Sequence, residues 1–463
     1  MLGLTVTQLS RCVGGSLRGR GEAEVARVQT DSREVRAGDL FVALPGARTD
    51  GHRFLAQAKE AGAAAALVQP DRGDRPEGLP VVVVEDSLAA LGELARFHLG
   101  RLGCPVIGIT GSVGKTTAKD ILAQLLGGPA EQVHAAPASF NSEVGLPLAV
   151  LSAPAGTRRM VLEYGVNAPG EMQRLLGIAR PRHAWITALS PVHLEGMRNL
   201  ETVVREKSQL AAAVQESGWV WTTPEVALVA EEHGCGWPSR QRLSGLDGSE
   251  GGGRVLESRP GRFLVELPGV GRVALPVVAR HEAELCAIAC AVALDLGVAE
   301  EPLRARLQDL RRPRGRLSVH DFGPLKVVDD SYNSSPAALD AALAVLASWP
   351  RASARIAVLG TMHELGQCAA EIHRSAGADA ARCCDVLLGI GRGGAWMAEG
   401  ARALGCPRVE QAEDLAGAEG LLAGLVAPGS VVLLKASRAE GLERLLGCLD
   451  QLAAGMGPAE ESA

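Results

Sequence analysis

Short apolar runs alternate with longer alanine- and leucine-rich stretches along the whole chain. Runs at 39–44, 81–84 and 105–110 have the length and β-branched content of buried strands, while 54–62 and 88–99 carry the wider apolar spacing of helices. Farther on, 325–328, 355–359, 386–390 and 430–434 read as strands set among helical segments. This alternation predicts α/β domains with mostly parallel sheets. The chain divides into three blocks, 1–103, 104–313 and 314–463. The middle block holds a Gly- and Ser-rich stretch at 244–254, predicted to be flexible, then two alternating runs around Pro268-Gly269 that predict a hairpin. The tail beyond Ala454 is predicted to fray.

Composition narrows the function classes. With 463 residues, 47% of them hydrophobic and 22% charged, the chain can bury sizeable cores, which excludes global disorder. A net charge of −6, no basic block and only 3% aromatics argue against a nucleic-acid partner. No apolar run approaches the ~18 residues that cross a bilayer, and no signal peptide is expected at the N-terminus. Ten cysteines are scattered from Cys12 to Cys448 without a CxxC. They read as reduced core residues of a cytoplasmic protein rather than a disulfide framework or a zinc site.

The strongest local signal is VIGITGSVGKTTAKDILAQLL. An apolar strand runs into Gly111, Ser112, Val113, Gly114, Lys115, Thr116 and Thr117, and a helix follows with Ile121, Leu122, Leu125 and Leu126 on one face. Such a turn lets backbone N–H groups approach phosphates, and the helix N-terminus adds positive potential. Lys115 would reach the β- and γ-phosphates, and Thr116 would hold Mg²⁺. The strict spacing wants glycine at 109, where the chain has Ile109, with Gly108 and Gly111 nearby. The loop is therefore a variant. An ordinary glycine-rich turn is the alternative, disfavoured by GKTT between a strand and a helix.

The segment 200–214, LETVVREKSQLAAAV, predicts a helix that places Lys207 on one face with Val203, Val204, Leu210 and Ala211. A lysine among apolar neighbours loses hydration and its pKa falls, so it can react as a neutral amine, with carbon dioxide for example. A lysine snorkelling at the core edge fits the same spacing. Glu163 and His193 follow apolar runs at predicted strand ends, the edge where α/β sheets bind ligands. With Thr116 they could converge on metal ions.

The ordered set GITGSVGKTT, SFNSEVGLPLAVL, LEYGVNAPGEM, PVHLEG, REK, RGRL, DDSYNSSPAAL, LGTMHELG and KASR resembles the Mur ligases, and within them the branch that adds D-alanyl-D-alanine. The N-terminal TDSREVRAGDLFVALPGARTDGHRFLAQAKEAGA is similar to their uridine-nucleotide domain. The resemblance implies three domains: a UDP-substrate domain at 1–103, a P-loop ATPase-like domain with a parallel sheet at 104–313, and a Rossmann-like domain for the incoming amine at 314–463. It implies an ATP- and Mg²⁺-dependent, ADP-forming ligase, cytoplasmic and monomeric, acting on UDP-MurNAc-tripeptide and D-Ala-D-Ala through an acyl phosphate to give UDP-MurNAc-pentapeptide. By motif, Lys115 and Thr116 serve phosphate and metal, and Asn141 lies beside the reacting phosphate. Glu163 would bind a first Mg²⁺, with His193 and a carbamylated Lys207 at a second. Arg316 and Asp330 would contact nucleotide, and Tyr332 and Asn333 adenosine or dipeptide. Ser32, Arg33 and Gly46 belong to the uridine region, and Lys435 and Arg438 would face a closing cleft. His52 of the DGH motif is expected to line the first-domain pocket.

Several positions depart from the resembled pattern: Ala188, Gln209, Glu282 in place of an asparagine that helps recognise adenine, Leu285, Thr361 and Ala436. They leave open a divergent paralogue joining a different amine or acid, or a nucleotide-binding scaffold without turnover.

Overall fold

The computed structural model describes residues 3–46, 49–192, 194–237, 240–246, 248, 252–312 and 314–456. The chain divides into two compact units. One comprises residues 1–111, 126–187 and 204–242, the other 112–125, 188–203 and 243–463.

The first unit opens on a five-stranded sheet in the order Ser16–Arg18, Val81–Val83, Ala65–Val68, Leu40–Val42, Val28–Gln29, antiparallel only at its first pair. Helix Ser87–Leu102 follows, capped by the Asp86 carboxylate at its start and stopped by Gly103 at φ +61°. Five strands of the central sheet then run in the order Val220–Thr222, His183–Ile186, Val106–Thr110, Arg159–Glu163, Val133–Ala135, all parallel. The middle strand is buried along its whole length, which explains its unbroken apolar sequence. Its register sets Glu163 opposite Ile109 and Ile186 opposite Thr110, so three strands end level at one edge.

The second unit contains a three-stranded meander, Arg254–Arg259, Arg262–Leu267 and Gly271–Leu275, where two strands were expected. The first lies in part within the stretch expected to be flexible; its side chains are mostly exposed, so no apolar alternation marked it. Residues 247 and 249–251 of that stretch lie outside the described residues. Helix Arg280–Asp295 leads to a six-stranded sheet in the order Ser318–Asp321, Lys326–Asp329, Val431–Lys435, Arg355–Leu359, Val386–Ile390, Arg408–Ala412, antiparallel only at its first pair. Alternate residues of its strands face opposite ways. Ala357 and Leu433 pack with the helices Pro336–Ala347, Ala369–Ala381 and Gly391–Ala403, while Val358 and Val432 pack with Leu415–Leu422 and Leu445–Ala454. This doubly wound layering, with the parallel sheets of the first unit, makes the chain a mixed α/β protein. Among the described residues no helix is long and apolar enough to cross a membrane.

His52 is held inside the N-terminal sheet region by its own hydrogen bonds. It is 1% exposed, its Nδ1 lies 2.6 Å from Asp50 Oδ1, and its Nε2 accepts the Gln69 N–H at 2.9 Å. The backbone N–H of His52, its imidazole and Arg72 together hold the Asp50 carboxyl at about 2, below its ordinary 3.8. A depressed carboxyl stabilises the fold above its unfolded value and loses that contribution as pH falls through the folded one. The thermal midpoint should therefore drop between about pH 4 and 2, and Asp50→Asn should flatten that drop, as calorimetry across the range would read.

Candidate functional site

The chain leaves Val106–Thr110 at the level edge of the central sheet and enters the loop Gly111–Gly114. Gly108 in that strand has no room for a side chain, since a Cβ would lie 2.9 Å from the Tyr164 ring and 3.1 Å from Leu210. Gly114 turns at φ +81° into helix Lys115–Leu125. Ser112 anchors the loop: its N–H donates to the Ala188 carbonyl (2.8 Å), and its hydroxyl donates to the Ser190 carbonyl (2.7 Å) and accepts the Ser190 N–H (2.9 Å). Lys115 curls over the loop to the Ser112 carbonyl (3.4 Å). Thr116 is buried at the first turn, with Val113 and Thr117 half-buried beside it. The far end of the helix is held by Arg306, which donates to the Leu125 carbonyl (2.9 Å), and by paired bonds between Gln124 and the Arg311 backbone.

At the same sheet edge, Glu163 is 1% exposed and its Oε1 accepts the Asn141 amide at 2.7 Å. The Asn141 carbonyl accepts the Gly165 N–H (2.9 Å), and a Cβ on Gly165 would fall 2.6 Å from the Asn141 side chain. Glycine is thus required at 165 to seat this pair. Lys207, on helix Leu200–Ala212, is fully buried, as are Val203, Val204, Leu210 and Ala211; burial this complete replaces the snorkelling alternative. His193 lies outside the described residues. Among those described, no group of three or more His, Cys, Asp or Glu could hold a metal. Thr116 and Glu163 offer hard oxygen donors of the kind Mg²⁺ takes together with phosphates.

In the second unit, Tyr332 lies between two guanidiniums, Arg316 at 4.3 Å and Arg438 at 5.0 Å from its ring. Arg438 also donates to its hydroxyl at 3.1 Å. Asp330 accepts the Leu317 N–H (3.1 Å) and pairs with Lys435, whose ammonium also donates to the Asn333 carbonyl (2.9 Å). Gly315 and Leu317 both adopt positive φ, and the bonds to Tyr332 and Asp330 hold this turn. In the N-terminal sheet region, the Ser32 hydroxyl donates to Gln57 (2.8 Å), Arg33 is exposed beside Asp31 (2.6 Å), and Gly46 bonds the Thr49 carbonyl (3.1 Å).

Comparison with known proteins gives these features a lineage. Residues 24–98 match the Mur ligase family catalytic domain, 109–231 the Mur ligase middle domain, and 315–438 the Mur ligase glutamate ligase domain. The UDP-N-acetylmuramoyl-tripeptide–D-alanyl-D-alanine ligase of Bacillus subtilis is 31% identical, covering 96% of this chain and 98% of that protein. The chain belongs to the Mur ligase family. Among solved structures, MurF of Acinetobacter baumannii matches with a TM-score of 0.83 at 27% identity, over 97% of this chain and 99% of its own. The MurF ligase of Thermotoga maritima in complex with ADP matches with a TM-score of 0.78 at 28% identity, over 93% and 98%.

The departures of this Mur ligase have structural accounts. Glu282 is buried and accepts the Val278 and Ala279 N–H groups (3.0 and 3.2 Å), with Arg312 3.5 Å from its other oxygen. Burial pushes its carboxyl pKa up, against the pull of Arg312 and the two N–H groups. It therefore ties down the start of helix Arg280–Asp295. Leu285 is buried on the same helix. Ala188 needs only its carbonyl, which Ser112 takes. Gln209 donates to Glu206 (2.9 Å), whose other oxygen accepts the Met172 N–H (2.7 Å). Thr361 accepts the Gly393 N–H (3.3 Å), and Ala436 is buried against Gly360. Sequence reading missed two residues: Lys119, 1% exposed and paired with Asp120 (3.1 Å), and Arg312, which also donates to the Leu317 and Pro276 carbonyls (2.8 and 2.7 Å). A lysine four positions after Lys115 was a visible signal for the first; carbonyl partners left none for the second.

Two outcomes follow. Gly165→Ala should dislodge the Asn141 amide, so that it and Asn141→Ala each lower kcat by about 10²-fold and the double variant no further, as steady-state kinetics would show. A Cβ on Gly360 would lie 2.8 Å from the Ala436 methyl. Gly360→Ala should therefore cost about 1–3 kcal/mol in denaturant unfolding, recovered by adding Ala436→Gly.

Proposed function

We propose that this Mur ligase is an ATP-dependent, ADP-forming ligase that joins D-alanyl-D-alanine to UDP-N-acetylmuramoyl-tripeptide, giving the pentapeptide precursor of peptidoglycan. The observation that carries this reading is end-to-end likeness to ligases of that name, through the C-terminal sheet as well as the phosphate loop. The domain division 1–103, 104–313 and 314–463 belongs to the same reading, as does a cytoplasmic location.

The reaction must bring a carboxylate up to a triphosphate, two anions that repel. Backbone N–H groups of residues 111–116 and the Lys115 ammonium would take the phosphates, at a helix start that favours negative charge. Thr116 and Glu163 are the residues that would hold Mg²⁺, which when bound would offset this charge repulsion. Asn141 fixes the Glu163 carboxylate in one rotamer. Lys207, fully buried on its helix, would as a carbamate join His193 in supplying an anionic metal ligand. Asp330 would meet the ribose, and Arg316 the phosphates. Arg438, steadied on Tyr332, would face the dipeptide carboxylate with Lys435 and Asn333 behind it. Ser32, Arg33 and Gly46 would line the uridine end.

Phosphate release from ATP should require both UDP-MurNAc-tripeptide and D-Ala-D-Ala and fall at least ~10²-fold in Lys207→Ala. Release that needs a different amine would overturn the substrate assignment, and ATP binding without release would overturn the enzyme reading.

A further inference from the structure

The C-terminal sheet carries a group of side chains that the reading above does not use. Strands Arg355–Leu359 and Val431–Lys435 are neighbours, but the helices that follow them lie on opposite faces of the sheet. A crevice opens at the carboxyl ends of such a strand pair, and α/β sheets bind ligands there. Two backbone bonds knit its walls: Gly360 N–H to the Lys435 carbonyl and Ser437 N–H to the Thr361 carbonyl, both 3.0 Å.

His363 stands at this crevice. Its backbone N–H donates to Ser437 Oγ at 3.0 Å, and its half-exposed imidazole places Nε2 3.1 Å from Glu440 Oε1. Glu440 is held in place, its own N–H bonded to the Ser437 carbonyl at 3.0 Å. A carboxylate accepting from Nε2 selects, in the neutral imidazole, the tautomer whose Nδ1 has its lone pair available. A second titratable side chain facing this pair is His373 of helix Ala369–Ala381. It is fully buried, accepts the Met362 N–H on Nε2 (2.9 Å) and donates from Nδ1 to the Ala369 carbonyl (2.6 Å). Burial pulls its pKa down, so it remains neutral.

We propose that His363 is the base that removes a proton from the incoming amine, with Glu440 as its positioning residue. The inference rests on the ligase reading. A dipeptide arrives with its α-amino group largely protonated, since such groups titrate near ~8, and an ammonium has no lone pair to attack a carbonyl. One proton passes from the ammonium nitrogen to His363 Nδ1, and no other bond changes. The imidazolium keeps its Nε2 bond to Glu440, which stabilises the new charge, while the freed amine attacks the activated carboxyl carbon. The C–N bond forms, the acyl C–O bond breaks with its electron pair leaving on phosphate, and the second amine proton passes to that phosphate. The arrangement is an imidazole oriented by a carboxylate on one nitrogen and presented to substrate with the other.

The test compares two nucleophiles on full-length wild type, His363→Gln and Glu440→Gln, with UDP-MurNAc-tripeptide and ATP. Hydroxylamine is unprotonated at pH 7 and traps the activated carboxyl as a hydroxamate without needing a base. His363→Gln should lose about 10²-fold or more in ligation of D-Ala-D-Ala while retaining hydroxamate formation. In Glu440→Gln the acid limb of the pH–rate profile should move to lower pH, because the imidazolium has lost its carboxylate. Unchanged ligation in His363→Gln, or ligation and hydroxamate formation falling together, would overturn the role of the base. Absence of hydroxamate with wild type would instead overturn the ligase reading itself.

Discussion

Everything at the central sheet depends on the register of one buried strand. Val106–Thr110 pairs in parallel with Arg159–Glu163 and His183–Ile186 so that all three end together. That places Glu163 at the level where the chain breaks into the phosphate loop. A slip of one residue would turn Glu163 to the opposite face of the sheet. The register is guarded by packing: Gly108 lies under Tyr164 and Leu210, and Tyr164 is fully buried with its hydroxyl donating to the Ala179 carbonyl at 2.5 Å. The placement of charge is thus enforced by apolar contacts a few residues away.

Local features were legible in the sequence. The phosphate loop is one contiguous run whose strand, glycines and helix start are all visible, and Lys207 betrayed itself by apolar neighbours at helical spacing. Strands 355–359 and 386–390 appear in the structure with the expected bounds because both faces are buried and nothing polar interrupts them. The exposed strand Arg254–Arg259 and the short edge strand Ser318–Asp321 left no such trace.

What stayed hidden was made by backbone partners or by distance along the chain. Glu282 read as a changed nucleotide contact, yet the fold uses its carboxylate to bind two N–H groups ahead of a helix. The partnership of Asn141 with Glu163 depends on a glycine at 165 whose lack of a side chain leaves room for the amide. The pairing of His363 with Glu440 spans 77 residues. No spacing rule joins such positions; only strand order brings them to one edge.

The guanidinium of Arg312 has a consequence for how the second unit comes apart. It touches the end of the meander at Pro276, the start of a helix at Glu282 and the turn at Leu317. Releasing any one of them leaves a largely buried cation with fewer partners, which is costly. These three segments should therefore open together as one cooperative unit, so that amides far apart in the chain exchange with solvent at a common rate.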